Sequence, residues 1–336
     1  MNNSWHRLIW SGAAIIGLLL LAAIVVRLLM DGPDPRPSGN SGLRSTAGAN
    51  SASLNVEKVA TKEFSLGNVS KDSAGGSSSP QLPPSSGLFL RLRAASDWRV
   101  FATEAVKDPN AGGVTYAAHA AHLCRMAKLA VMSTGTDWGA ANLSYVAPED
   151  PLVFSTRNAS FENIKATCQG FSDHELSIER DIELADLAKA QADSLYKLRS
   201  EVKSALAVND MRNRRSALAA VLENGDPLLL SETLPQLLLQ RTGGGLSFWI
   251  DGKQVPVIES GDFSTVLAVL PCKFGLICDE RSVEVVQACL GSTECYSDRL
   301  QLAMSKIPDA RKAEFTSMLG RMEAHVRGKR VDLLLP

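Results

Sequence analysis

The chain has 336 residues, with 35 Lys and Arg against 36 Asp and Glu, a formal net charge of −1. That balance excludes the electrostatic footprint of a nucleic-acid binder: no long basic stripe interleaved with aromatics occurs, and the densest patch, Arg212, Arg214 and Arg215, is short. A solvated helix face is the ordinary meaning of such a patch, with docking to anionic headgroups or an acidic partner as the alternative.

Residues 1–7 read as a short cytoplasmic tip carrying His6 and Arg7. The next nineteen, 8–26, have Ser11 as the only clearly polar side chain. At ~1.5 Å per residue they span roughly 28 Å, against a ~30 Å hydrocarbon core. The run is longer than the apolar core of a cleaved signal peptide and offers no small-x-small site before Pro33, so it reads as an uncleaved signal-anchor helix over 8–30. Arg27 at its far end can snorkel to the interface. The flanking arginines, Arg7 on one side and Arg27, Arg36 and Arg44 on the other, favour a cytosolic C-terminal part. Six cysteines, all beyond residue 120, favour an oxidising compartment instead. The cysteines outweigh the arginines, which places the chain in the cell inner membrane as a single-pass protein with its C-terminal domain in the periplasm.

From 31 to 87 Gly, Ser and Pro make up nearly half of the residues, a composition that cannot bury enough apolar surface to offset its ordering entropy. It predicts a disordered linker with a root-mean-square span of about 40 Å. Within it, 54–66 alternates weakly, as a transient strand or docking peptide would. The remaining 88–336 forms an α-helical extracytoplasmic domain, with a possible sub-boundary near 207–245.

Periodicity in that domain predicts mainly helices. Ser96 reads as an N-cap for a helix through Phe101, ended by Asp108-Pro109-Asn110. A second helix runs from Gly113 through Tyr116, His119, Leu123 and Met126 towards Met132, giving an αα-hairpin. A loop over 133–156 precedes a short helix at 161–168. Ser172 and Glu175 match a capping box, after which Ile178, Ile182, Ala185, Ala188, Ala192, Leu195, Leu198, Val202 and Leu206 recur at spacings of three and four. They predict one helix of ~50 Å over 173–206. Packing within the domain is its simplest role; self-association as a coiled coil is the sharper one. A helix over 213–223 closes at Asn224-Gly225, and Asp226-Pro227 opens the Leu-rich 228–239, in which Pro235 should break or kink a helix. The single β feature is a hairpin over 246–258 turning at Asp251-Gly252, which suits a type I′ turn. Pro256 makes its second strand an edge; Gly243-Gly244-Gly245 before it would let the hairpin serve as an exposed flap, with ordinary domain structure as its commoner explanation.

The last cysteines follow Cys272-x5-Cys278-x10-Cys289-x5-Cys295, among helices expected at 263–271, 283–289 and 297–307. Zinc sites prefer gaps of two to four between paired thiolates, so this spacing favours disulfides. Connectivity is open; closing the two short loops is simplest and leaves Cys124 with Cys168. The run Leu267-Ala268-Val269-Leu270-Pro271-Cys272-Lys273-Phe274-Gly275-Leu276-Ile277-Cys278, followed by Cys289 and Gly291-Ser292-Thr293-Glu294-Cys295, resembles the C-terminal segment of a group of uncharacterised proteobacterial secreted or envelope proteins with no known activity. Many of those sequences carry an acidic residue where Lys273 stands. The resemblance implies an α-helical, disulfide-bonded envelope domain and no catalytic residue.

Fragments that suggest chemistry fail on context. His119, His122 and Cys124 resemble metal ligands, but on a helix Cys124 points about 200° round from His122. His174-Glu175 lacks the second histidine of a zincin and belongs on the surface of a first helical turn; His325 reads as a surface residue near a helix C-terminus. Ser194-x-x-Lys197, Ser200-x-x-Lys203 and Arg241-Thr242-Gly243 echo serine β-lactamase motifs, yet both Ser-x-x-Lys copies lie on one charged helix. No cofactor, metal or catalytic constellation emerges, which points away from an enzyme. The leading expectation is a protein-interaction or scaffold module of the cell envelope, pairing with an envelope protein or with itself. The alternatives are a cell-wall glycan hydrolase using a pair among Glu149, Asp150, Glu259 and Asp262, or a small-molecule binder lined by Trp98, Tyr116, Trp138 or Trp249.

Overall fold

A computed structural model describes residues 86–336 apart from 141–142, 144–150, 209, 243–244, 257–261 and 292–293. The expected tip, membrane helix, docking peptide and nearly all of the linker lie outside the described residues, as do Glu149, Asp150 and Glu259. Among the described residues no helix is long and apolar enough to cross a membrane.

The domain is mainly helical. Helix α1 (Ser86–Ala94) leads to α2 (Trp98–Ala105), whose N-cap is Asp97 rather than Ser96: the carboxylate accepts from the backbone N–H of Arg99 and Val100. A 3₁₀ turn, Pro109–Ala111, returns the chain into α3 (Gly113–Ser133). This is the expected αα-hairpin, and it closes tightly because residue 113 is Gly; a Cβ there would stand 1.8 Å from the carbonyl oxygen of Ala105. Helix α4 (Pro151–Cys168) begins ten residues before the expected short helix, with Pro151 at its first position, where a missing N–H costs nothing.

The predicted long helix is two. Helix α5 (Ile178–Ala190) and helix α6 (Ser194–Val208) are separated by Gln191, Ala192 and Asp193, with Ala192 in the left-handed region at φ 52°. Asp193 causes the break. Its fully buried carboxylate accepts from Val114 N (2.9 Å), Thr115 N (3.3 Å) and Thr115 Oγ1 (2.8 Å) at the start of α3, and from Tyr196 N (3.0 Å) at the start of α6. One side chain thus satisfies donors that two helix N-termini would otherwise leave unpaired. A mid-helix Asp193 could reach neither end, so satisfying buried donors overrides the three-four periodicity. The apolar stripe changes with it: Leu184 and Ala188 are buried, whereas Ile178 and Ile182 are 67% and 59% exposed. A four-heptad coiled coil over 173–206 has no continuous helix to form on. The Ser172 and Glu175 capping bonds do form, but around a turn that precedes α5, whose own N-cap is Ser177.

Helix α7 (Met211–Asn224) ends on Gly225 at φ 66°, and Asp226 caps α8 (Pro227–Leu238). Pro235 does not end α8. It lies in the last turn, so only one intrahelical bond is forfeited before the chain becomes extended. There the sequence reading missed a strand: β1 (Leu239–Thr242) pairs antiparallel with β2 (Gly245–Ile250), which pairs with β3 (Lys253–Pro256). Asp251 and Gly252, both at positive φ, turn β2 into β3 as a type I′ hairpin requires. Phe248 packs edge-to-face on Phe263 at 4.6 Å, and Ser247, Phe248 and Ile250 are buried, so the sheet is part of the core and not a flap.

Helix α9 (Phe263–Val269) passes into a 3₁₀ turn, Leu270–Phe274; α10 (Val283–Gly291), α11 (Arg299–Ser305), α12 (Asp309–Arg327) and α13 (Val331–Leu334) follow. Disulfides join Cys124 to Cys168, Cys272 to Cys278 and Cys289 to Cys295. The first ties α3 to α4; the others close loops at either side of α10.

Candidate functional site

Helix α3 is central, with α2, α5 and α10 packed around it. Its remaining face is outward: His122, Met126, Leu129 and Ser133 share one side by helical spacing, and Met126 and Leu129 are 37% and 52% exposed. Beside this face lie two clefts. One, of about 570 Å³, is walled by His119, His122, Leu123 and Met126 of α3, Ser231, Glu232 and Pro235 of α8, and residues of α9 and α10. The other, of about 860 Å³, runs from Ser133 and Thr134 at the end of α3 to Ser305 and Lys306 at the end of α11. Both are lined by Glu284 and Gln287 of α10, so they adjoin along that helix. From His119 to Ser133 the groove follows α3 for roughly 21 Å by the helical rise.

Charges along it are mutually committed. Glu232 pairs with Arg199 of α6, and Glu284 accepts from Arg299 at 3.0 Å. Burial pushes the Glu232 carboxyl up, against the opposing pull of Arg199. Burial, reinforced by Arg199, His122 and Arg299, drives His119 down to about 3, so it is a neutral imidazole at physiological pH. His122 is also lowered, by burial and then by Arg125, whose guanidinium can only donate; Nδ1 of His122 therefore accepts at 2.9 Å. Arg125 continues to Asp181 of α5 at 2.5 Å. Behind the groove, the buried Tyr116 hydroxyl donates to Asp226 at 2.7 Å, and burial together with that carboxylate holds the phenol well above its ordinary value.

The sequence candidates disperse. Cys124 turns inward to Cys168 while His119 and His122 face the cleft, and no metal-binding group of three His, Cys, Asp or Glu exists among the described residues. No hydrogen bond joins either histidine to a serine hydroxyl among those residues. Asp262 pairs with Arg311 on another face. Trp98 and Tyr116 are core, Trp138 stacks edge-on against Phe161, and none of the four aromatics expected for a ligand box lines either cleft. Ser200 donates to the carbonyl of Tyr196 as an ordinary helical serine. His174 is exposed in the turn before α5. His325 corrects the surface reading: it is largely buried, with Nε2 2.6 Å from Asp251 in the hairpin turn, where Arg321 also binds.

The groove itself was not legible as a site. Its residues come from α3, α8, β2, α9, α10, α11 and the segments that precede α10 and α11, and only the exposed Met126, Leu129 and Met132, apolar positions on an otherwise well-packed helix, carried a local signal. No family model, no curated protein and no solved structure matches the sequence.

Proposed function

We propose that the domain is a protein-interaction module of the cell envelope that seats a segment of a partner protein in the groove along α3 and α10. The carrying observation is the adjoining pair of clefts with Met126 and Leu129 exposed beside it. Thioether and aliphatic side chains in an open groove suit the apolar face of a short helix or extended peptide. Roughly 21 Å accommodates about four turns of helix, enough for anchors at i, i+3 or i+4 and i+7. The mutual pairing of the groove's carboxylates weighs against hydrolysis, which needs a base or nucleophile held ready.

The module is held, in this reading, by a membrane helix over 8–30 and a linker over 31–87, with 88–336 in the periplasm. All six cysteines are disulfide-bonded, which supports an oxidising compartment. The resemblance of the C-terminal segment to proteobacterial envelope proteins supports the same address.

Site-specific photocrosslinking in native membranes tests the function. A photoreactive residue at Leu129 or Gln287 should give a discrete adduct; one at Ala313 of α12, a helix that contributes to neither cleft, should not. Equal labelling at all three positions, or none, overturns the proposal. Alkylation of intact cells tests the address, since six thiols reactive without reductant would remove the periplasmic placement.

A further inference from the structure

We infer that the 570 Å³ cleft is the anchoring pocket of the groove and takes an uncharged apolar residue of the bound segment, whose peptide group hydrogen-bonds to Ser282 and Ser231. The inference rests on the interaction reading above and says what the groove selects.

Size and lining point to an apolar body. The volume falls within the roughly 300–1,000 Å³ of small-ligand sites, and Leu123, Met126, Phe248, Leu267 and Ile277 supply most of its apolar wall. Charge points to a neutral occupant. With Glu232 on Arg199, Glu284 on Arg299 and His119 neutral, the cleft has no free counter-ion, and an ion buried there would be unpaired.

Two polar features specify the rest. Ser282, immediately before α10, is 3% exposed and lines the cleft, yet its hydroxyl has no hydrogen-bond partner. A serine at this position usually caps the helix through Oγ; here the backbone carbonyl of Ser282 receives Val285 N and Val286 N, leaving the side chain uncommitted. In α8 Pro235 has no N–H to give to the carbonyl of Ser231, and both residues line the same cleft. A hydroxyl that can donate and a carbonyl lacking its helical donor, lining one cleft, are the groups that the C=O and N–H of a peptide would engage. Burying an unpartnered hydroxyl is costly, and an occupant that engages it recovers that cost.

The test uses the full chain in lipid nanodiscs with methyl-labelled methionine, titrated with N-acetyl-leucinamide and N-acetyl-phenylalaninamide. Saturable shifts at Met126, absent at Met132 on the far side of the exposed face, are expected. N-acetyl-leucine, which carries a carboxylate, and N-acetyl-lysinamide should bind at least about tenfold more weakly. Ser282→Ala should weaken the neutral probes about fivefold, and Ala268→Trp, which fills the cleft from an exposed position, should abolish the response while leaving the fold intact. No saturable shift at Met126, equal affinity for charged probes, or full affinity in Ser282→Ala overturns the inference. Crosslinking at Leu129 and Gln287 does not depend on Ser282. Loss of the probe response with adducts retained therefore overturns the anchoring pocket alone, whereas loss of adducts with the response retained overturns the partner reading alone.

Discussion

Replacing Asp193 should be among the most destabilising single changes in the domain. Its carboxylate is fully buried and accepts four hydrogen bonds, from Val114 N, Thr115 N, Thr115 Oγ1 and Tyr196 N. In Asp193→Ala the threonine hydroxyl can rotate to another partner, but the buried N–H groups of Val114 and Thr115 and the part-buried N–H of Tyr196 lose theirs, at about 1–3 kcal/mol for each buried group and less for the third. Partial relaxation and entry of water reduce that sum to about 3–5 kcal/mol. Asp193→Asn separates geometry from charge. With its amide oxygen at the Oδ2 position it keeps Val114 N and Thr115 N, while its NH₂ at Oδ1 faces the N–H of Tyr196, donor against donor, so the loss should be about 2 kcal/mol. Urea unfolding followed by circular dichroism at 222 nm would read both values from the shift in midpoint at constant slope. An Asp193→Ala loss below about 1 kcal/mol, or an Asn variant less stable than the Ala variant, would refute the view that this residue divides the predicted helix.

Ala192→Gly should stabilise by about 1 kcal/mol in the same assay, because φ 52° is strained for Ala and free for Gly. His119→Gln should flatten the pH dependence of stability. With the native imidazole lowered to about 3 from 6.5, the unfolded chain binds a proton that the folded chain does not, so stability falls as pH drops from 6.5 towards 3, by at most about 2 kcal/mol at pH 5; parallel curves for variant and parent between pH 7 and 5 would contradict this. Removing the Cys124–Cys168 bridge by double Ala substitution should cost about 4 kcal/mol from loop closure over a separation of 44 residues, read as a lowered unfolding midpoint.

Local rules carried much of the fold into the sequence. Asn224-Gly225 followed by Asp226-Pro227, and Asp251-Gly252 between alternating residues, act within a few positions and are visible to a linear reading. What escaped depends on partners distant along the chain. Asp193 resembled one more polar residue on a charged helix face because its donors Val114 and Thr115 lie almost eighty positions away. Strand β1 was hidden because Leu239 to Thr242 has neither length nor alternation, and exists by pairing with β2. The candidate site was least legible of all. No segment contributes more than a few residues to the groove, and its most informative polar group, Ser282, is distinguished by a missing partner, a property that no sequence pattern encodes.

The disulfides gain a second meaning from the position of the groove. As staples in the chain-entropy model, the short loops closed by Cys272–Cys278 and Cys289–Cys295 contribute only about 2.4 kcal/mol each, against about 4 for Cys124–Cys168. Yet Leu276 and Ile277, inside the first short loop, line one cleft, while Leu290, Gly291 and Tyr296, in and beside the second, line the other. The long bridge holds α3, the common wall of both clefts, against α4. Under the proposed interaction role, each bridge fixes a segment of groove wall that a bound partner would otherwise have to order. Ordering an interface side chain costs roughly 0.5–1.5 kcal/mol, so pre-set walls raise affinity without adding a contact. On that proposal all three bridges shape the groove, and the two short ones, which add least to stability, act there chiefly through the walls they hold.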